Sequence, residues 1–158
     1  MRVERLASAD SAGGQRWDRF VDSCADGSFF HRAGWQSVIH DSFGHATHYL
    51  QALDAQGGVR GVLPMAHVKS RLFGSSLVSL PFASFGGIAA DHDQARDVLQ
   101  RAAVALAQRL DVAHLELRNV ERQQPDWPTQ DLYVAFRMPV PPILDDKMLA
   151  IPQKRRNM

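Results

Sequence analysis

Apolar and polar residues change their spacing several times along the chain, and each change marks a predicted element. Residues 1–6 read as a short opening strand followed by a Ser/Ala/Gly loop. Trp17, Phe20, Val21 and Cys24 recur at helical spacing and predict a short amphipathic helix over 15–25. Asp26-Gly27-Ser28 is turn chemistry. Beyond it, Phe30, Gly34-Trp35, Val38-Ile39 and Phe43 fall on one stripe, predicting a second helix that Gly44 stops. The period then shortens to two. Residues 47–53 and 59–68 predict paired strands around the tight turn Asp54-Ala55-Gln56-Gly57-Gly58, the clearest local signal in the sequence. Gly61 and Pro64 interrupt the second strand and point to a bulge or an edge position.

The rest of the chain is organised around residues 77–91. Leu77-Val78-Ser79-Leu80 suits a pleated strand, and Pro81 ends regular pairing because it has no donor. Gly86-Gly87 permits positive φ or a close approach of a ligand to the backbone, and Asp91 closes the segment before a long helical pattern. Strand, glycine turn and acidic helix start is an arrangement at which α/β proteins often bind ligands. Val98, Leu99, Ala102, Ala103, Leu106 and Leu110 then predict a helix of about five turns. Residues 114–118 alternate as a half-buried strand, 121–130 form a surface loop, and 134–138 are a further strand ended by Pro139, Pro141 and Pro142. The last stretch, 144–158, starts a helix that Pro152 interrupts and closes on Lys154-Arg155-Arg156. The elements sum to a mixed α/β domain with a largely antiparallel sheet flanked by helices.

Composition narrows the classes. A chain of 158 residues with 45% hydrophobic and 22% charged residues can build one sizeable core. A net charge of +1, with both signs interspersed, argues against a dedicated nucleic-acid or membrane-surface protein. Cys24 is the only cysteine, so no internal disulfide forms and the thiol reads as a small buried hydrophobe. No apolar run has the length of a membrane span, and the charged start Met1-Arg2-Val3-Glu4-Arg5 has no signal-peptide core. A cytoplasmic protein is the expectation.

Each candidate for chemistry has a structural alternative. Asp91 sits where aspartate caps a helix, and Gly86-Gly87 also suits a plain strand-to-helix turn. Arg118 can clamp a carboxylate or phosphate, or pair with a surface acid. Lys69, Arg71 and Lys154-Arg155-Arg156 suit a phosphate-bearing substrate or tRNA, or form a solvated basic edge. His31, His40, His45 and His48 lack the spacing and carboxylate partner of a helical zinc pair, so no metal is expected. Ser79 and Ser84 lie outside any Gly-x-Ser-x-Gly elbow. Trp17, Trp35 and Phe43 read as core.

Phe29-Phe30-His31-Arg32-Ala33-Gly34-Trp35, Gly61-Val62-Leu63-Pro64-Met65, Lys69-Ser70-Arg71-Leu72-Phe73-Gly74, Ser79-Leu80-Pro81-Phe82, Gly86-Gly87, His114-Leu115-Glu116-Leu117-Arg118 and Ile151-Pro152-Gln153-Lys154-Arg155-Arg156 carry a resemblance in their order and spacing. In these segments the chain resembles the N-terminal half of FemAB-like proteins, relatives of the peptidoglycan-bridge aminoacyltransferases. Many of those accompany PEP-CTERM/exosortase and exopolysaccharide gene clusters. The resemblance implies a GNAT-like (acyl-CoA N-acyltransferase-like) lobe over 1–143, with 144–158 starting the connection to a missing second GNAT-like lobe. It implies transfer of an acyl or aminoacyl group onto an amine of a cell-envelope precursor, from aminoacyl-tRNA or acyl-CoA. No bound cofactor is implied.

The bridge-forming members carry an Arg-Gly-Pro-x-x-Asp-like segment whose aspartate lies in the acceptor cleft. Gly86-Gly87-Ile88-Ala89-Ala90-Asp91 occupies that place, matching at Gly87 and Asp91 and lacking the arginine and proline. The resemblance thus makes Asp91 the candidate catalytic residue, with Gly86, Gly87, Arg118 and Lys69 as candidate substrate contacts. The lysine that follows the second-helix tryptophan in those members is absent after Trp35, and so is the Arg/Gln-x-x-Gly-x-Gly/Ala loop of acyl-CoA binding. A fragment inactive as an isolated lobe is the expectation. The competing one is a non-catalytic binding or assembly module of a cell-envelope polysaccharide system.

Overall fold

The computed structural model describes residues 1–70 and 74–130. Its first compact unit, Met1–Gln123, is built on one six-stranded sheet. Strands β1 (Arg2–Leu6), β2 (Ala46–Leu53), β3 (Val59–Ser70) and β4 (Gly74–Ser79) run antiparallel in sequence order. β5 (Ala89–Ala90) pairs with β3 beyond the end of β4, and β6 (His114–Glu116) adds the parallel pairing on β4. The hairpin signal is borne out by β2 and β3, and the alternating strand near His114 by β6.

Helices cover both faces, which is why β3 reads as an unbroken apolar run from Gly61 to Ala66 instead of alternating. Helix α3 (Asp93–Arg109) packs Ala95, Leu99, Ala103 and Leu106 onto Leu50, Ala52, Leu63, Met65 and Leu77. On the other face α1 (Ser11–Ser23) sets Trp17, Phe20 and Val21 against Leu6, Tyr49 and Val62. Helix α2 (Trp35–Phe43) adds Ile39 over Ala66 and Leu80. Trp17 is fully buried, tilted against Tyr49 with ring centroids 5.3 Å apart, and donates Nε1–H to the His31 carbonyl at 2.6 Å. Trp17→Phe keeps most of the apolar volume but removes that donor. A stability loss of about 1–3 kcal/mol is expected from urea unfolding.

Several expectations are corrected. α1 begins at Ser11 because the Asp10 carboxylate accepts from Gly13 N at 2.8 Å, a cap that outweighs the low helix propensity of Gly13-Gly14. The second helix is broken: a 3₁₀ turn, Phe29–His31, precedes α2, and Gly44 ends α2 at φ 67°. Pro64 lies in a central strand, not at an edge. Its carbonyl accepts from Leu80 N, so its missing N–H faces the break between β4 and β5, where no ladder bond is needed. The expected bulge sits at Arg60, between the Ala52–Gly61 and Leu53–Val59 pairings. Phe43, read as core, is 47% exposed and stacks on Phe82 and His45. Trp35 is half-buried, and so is Cys24, whose thiol is pushed up by burial.

Residues 121–130 hold no helix or strand, as expected. In the second unit, Gln124–Met158, the described stretch is held locally by Trp127 N donating to the Gln124 carbonyl at 3.3 Å. The further strand, the proline cluster, the boundary at 143, the interrupted helix, Arg71 and Lys154-Arg155-Arg156 lie outside the described residues. Among the described residues no helix is long and apolar enough to cross a membrane.

Candidate functional site

The chain leaves the sheet at Leu80 and rejoins it at Ala89, so residues 80–88 bulge out opposite only Leu63 and Pro64 of β3. The excursion is backbone-strained at both ends of Pro81, with φ 43° at Leu80 and 68° at Phe82. Residues following β6 tie it down. Gly86 N and Gly87 N both donate to the Arg118 carbonyl, at 3.2 and 3.0 Å, and Ile88 N donates to Asn119 Oδ1 at 3.1 Å. Arg118 N donates to Ser79 Oγ at 2.7 Å, and its guanidinium serves Glu116 at 2.7 Å and the Ala83 carbonyl at 2.9 Å.

Neither glycine has positive φ; their contribution is room. A Cβ on Gly86 would lie 2.6 Å from Leu80 Cβ. One on Gly87 would collide with the Asn119 amide, 2.8 Å from its Cγ and 3.0 Å from its Cα. The close approach at this turn is made by the chain's own Asn119. The structure gathers Gly86, Gly87 and Arg118 into one stitched loop, with Arg118 holding backbone and an acid of its own strand.

His31 fastens the same loop to the other helical layer. It is buried, and its Nε2–H donates to the Gly87 carbonyl at 3.1 Å, which leaves Nδ1 to accept from Ser28 Oγ at 2.8 Å. Burial holds its pKa below the usual imidazole value, against smaller opposing effects from the Gly87 hydrogen bond and Asp26. His48 is lowered further, to about 4, by burial and then by Arg5, His67 and Arg109; His67 is lowered by burial, Lys69 and His45. With folded pKa values below the unfolded value of about 6.5, the unfolded chain binds more protons between pH 6.5 and 4. Stability is complete above that window and falls as pH drops through it. Urea midpoints at pH 7.5 and 4.5 are expected to show this fall. His48→Leu should remove about 1–2 kcal/mol of it, allowing for solvent screening of the half-buried ring.

Asp91 emerges from β5 on the far side of the loop. It does not cap α3: His92 is the N-cap residue and makes no side-chain cap bond. The Asp91 carboxylate instead meets Arg60 Nη1 at 3.0 Å and His92 Nδ1. Arg60 is the bulged residue of β3, and its Nε also serves Asp54 at 3.1 Å. This cluster borders a pocket of about 450 Å³ between α1 and the β2–β3 turn, lined by Arg16, Arg19, Phe20, Cys24, Arg60 and Asp91 among others.

Lys69 is not part of it. It is exposed and lies nine residues along β3 from Arg60, about 30 Å at the usual rise of a strand. Among the described residues no group of three His, Cys, Asp or Glu side chains could hold a metal ion. Sequence reasoning weighed His31 only as a zinc candidate and Ser79 only as a nucleophile, and it passed over Asn119, Arg60, Arg16 and Arg19. The one signal in the sequence was the glycine pair itself, which suits either positive φ or a close neighbour.

No family model matches the chain, and no curated protein matches it. Solved structures do. A GNAT family acetyltransferase from Staphylococcus aureus matches with TM-score 0.58 and 8% identity over 87% of this chain and 98% of that one. The aminoglycoside 6'-N-acetyltransferase AAC(6')-IG from Acinetobacter haemolyticus matches with TM-score 0.54 and 11% identity, over 89% and 100%. The fold is GNAT-like, a mixed α/β lobe with a mostly antiparallel sheet. FemX shares it, with TM-score 0.52 and 19% identity over 69% of this chain. The match spans 25% of the FemX chain.

Proposed function

We propose that this chain is the acceptor-side lobe of a transferase that moves an acyl or aminoacyl group onto an amine of a cell-envelope substrate, peptidoglycan or exopolysaccharide. The observation that carries this reading is Asp91 at the edge of a pocket, on a GNAT-like fold shared with FemX. The FemAB-like resemblance of the sequence supplies the substrate class and a donor site on a second lobe. In the transfer, the neutral amine attacks the donor carbonyl. A C–N bond forms and the thioester C–S bond of acyl-CoA, or the ester C–O bond of aminoacyl-tRNA, breaks. The proton shed by the amine passes to the Asp91 carboxylate and leaves with the departing thiol or hydroxyl. Asp91 and Asp93 flank the start of α3, where their charge disfavours a pyrophosphate, so the reading puts the donor elsewhere.

The engagement of both Asp91 oxygens by Arg60 and His92 favours the second reading, a non-catalytic binding module. The two separate in a transfer assay with labelled acyl-CoA or aminoacyl-tRNA and an amine-bearing envelope precursor, run with this lobe joined to the donor-side lobe that the transferase reading requires. The transferase reading predicts label on the acceptor nitrogen. Saturable precursor binding without label in any donor series supports the module instead.

A further inference from the structure

The pocket beside Asp91 has an unbalanced charge. Every acid around it is engaged: Asp54 and Asp91 by Arg60, Asp26 by Arg96 at 3.0 Å, and Asp18 and Asp22 by Arg32 on the other side of α1. Arg19 faces the pocket without an ion pair among the described residues, and Arg16 faces it with one long, half-exposed pair to Asp10. Arg16 comes within 3.8 Å of Asp10 only, with both side chains near half exposed, and the Arg19 side chain makes no ion pair or hydrogen bond among the described residues. Spaced i, i+3 on α1, the two guanidiniums are neighbours on one helix face, where like charges repel. An anion between them removes that repulsion and gains charge-assisted hydrogen bonds. Phe20 gives the pocket an apolar wall, and Asp91 gives it one negative edge.

We propose that the pocket takes an acceptor carrying a carboxylate or phosphate beside its amine, the anionic group held by Arg16 and Arg19 and the amine turned toward Asp91. This rests on Asp91 as the acceptor site and adds the chemistry of the acceptor. A neutral amino sugar satisfies Asp91 and leaves both arginines bare, whereas an amino-acid side chain or a phosphorylated amine satisfies both ends.

Titration calorimetry and amide-shift mapping of the protein with inorganic phosphate and, separately, with malonate test the anion half without any transfer. One saturable site is expected, with shifts centred on Arg16, Arg19 and Gly58. Tighter phosphate binding assigns a phosphorylated acceptor, and tighter malonate binding a carboxylate one. Arg16→Gln/Arg19→Gln should weaken binding at least tenfold at unchanged melting temperature, since both residues are exposed; Arg19→Lys should weaken it less. No saturable binding of either anion, or equal affinity in the double variant, overturns the proposal. Transfer to a neutral amine in that case leaves the transferase reading standing, and anion binding without transfer leaves only the pocket.

Discussion

Gly87→Ala is expected to lower the free energy of unfolding by about 3 kcal/mol, read from the urea midpoint. The new methyl lands on the Asn119 amide, and the backbone of Asn119 lies 3.0 Å away, so the collision does not end when the side chain swings aside. Swinging aside also takes Oδ1 from Ile88 N, a donor on a residue only 3% exposed. An unpaired buried N–H costs about 1–3 kcal/mol. Moving the backbone instead disturbs Arg118, whose carbonyl serves Gly86 and Gly87 together. The comparison that isolates this mechanism is Gly57→Ala, where φ is 83° but the added methyl meets open space. It carries only the left-handed backbone penalty of about 1 kcal/mol. In an Asn119→Ala background the Ile88 donor is already unpaired, so Gly87→Ala should lose at least 1 kcal/mol of its effect. Equal effects of Gly57→Ala and Gly87→Ala would refute the close-packing account.

Much of the fold was legible because its signals are local. The hairpin between β2 and β3 follows from period-two alternation around a Gly-rich turn, and α3 from its alanine-rich apolar stripe. The break before α2 was not legible, because Phe30, Trp35 and Ile39 all turn inward whether or not Arg32-Ala33-Gly34 is helical. Phe43 was misplaced for a related reason. Its spacing put it on the buried stripe, but α2 ends there, and the half-exposed ring stacks on Phe82 and His45. Pro64 shows the limit of a residue rule. It argues against a central strand only where the ladder needs its N–H, and here β4 has already ended.

The candidate site was legible as a location and not as a set of partners. The glycine pair and Asp91 mark one loop and its exit, yet their contacts come from residues about 30 positions away. Asn119 lies past the end of β6, outside its alternating pattern, and Arg60 reaches Asp91 beside a two-residue strand too short to leave a pattern of its own. Arg118 was weighed between a ligand clamp and a salt bridge to an exposed acid, and the structure shows it bonded to Glu116 and the Ala83 carbonyl.

Asp91→Asn tests the central claim. Asparagine keeps the size and an oxygen that can face Arg60, while Arg60 keeps Asp54. Because Asp91 forms no helix cap and its ion pair is partly exposed, the folded state should lose no more than about 1 kcal/mol. On the proposed reading, the substitution removes the negative charge that orients the acceptor amine and receives its proton. Loss of such a group lowers turnover by about 10²–10⁴-fold. The decisive measurement is kcat for label transfer to the amine acceptor, taken with the melting temperature, for this lobe and its Asp91→Asn variant, each joined to the donor-side lobe that the proposed function requires. The account predicts turnover reduced at least a hundredfold with the melting temperature held. Undiminished turnover in the variant would contradict it.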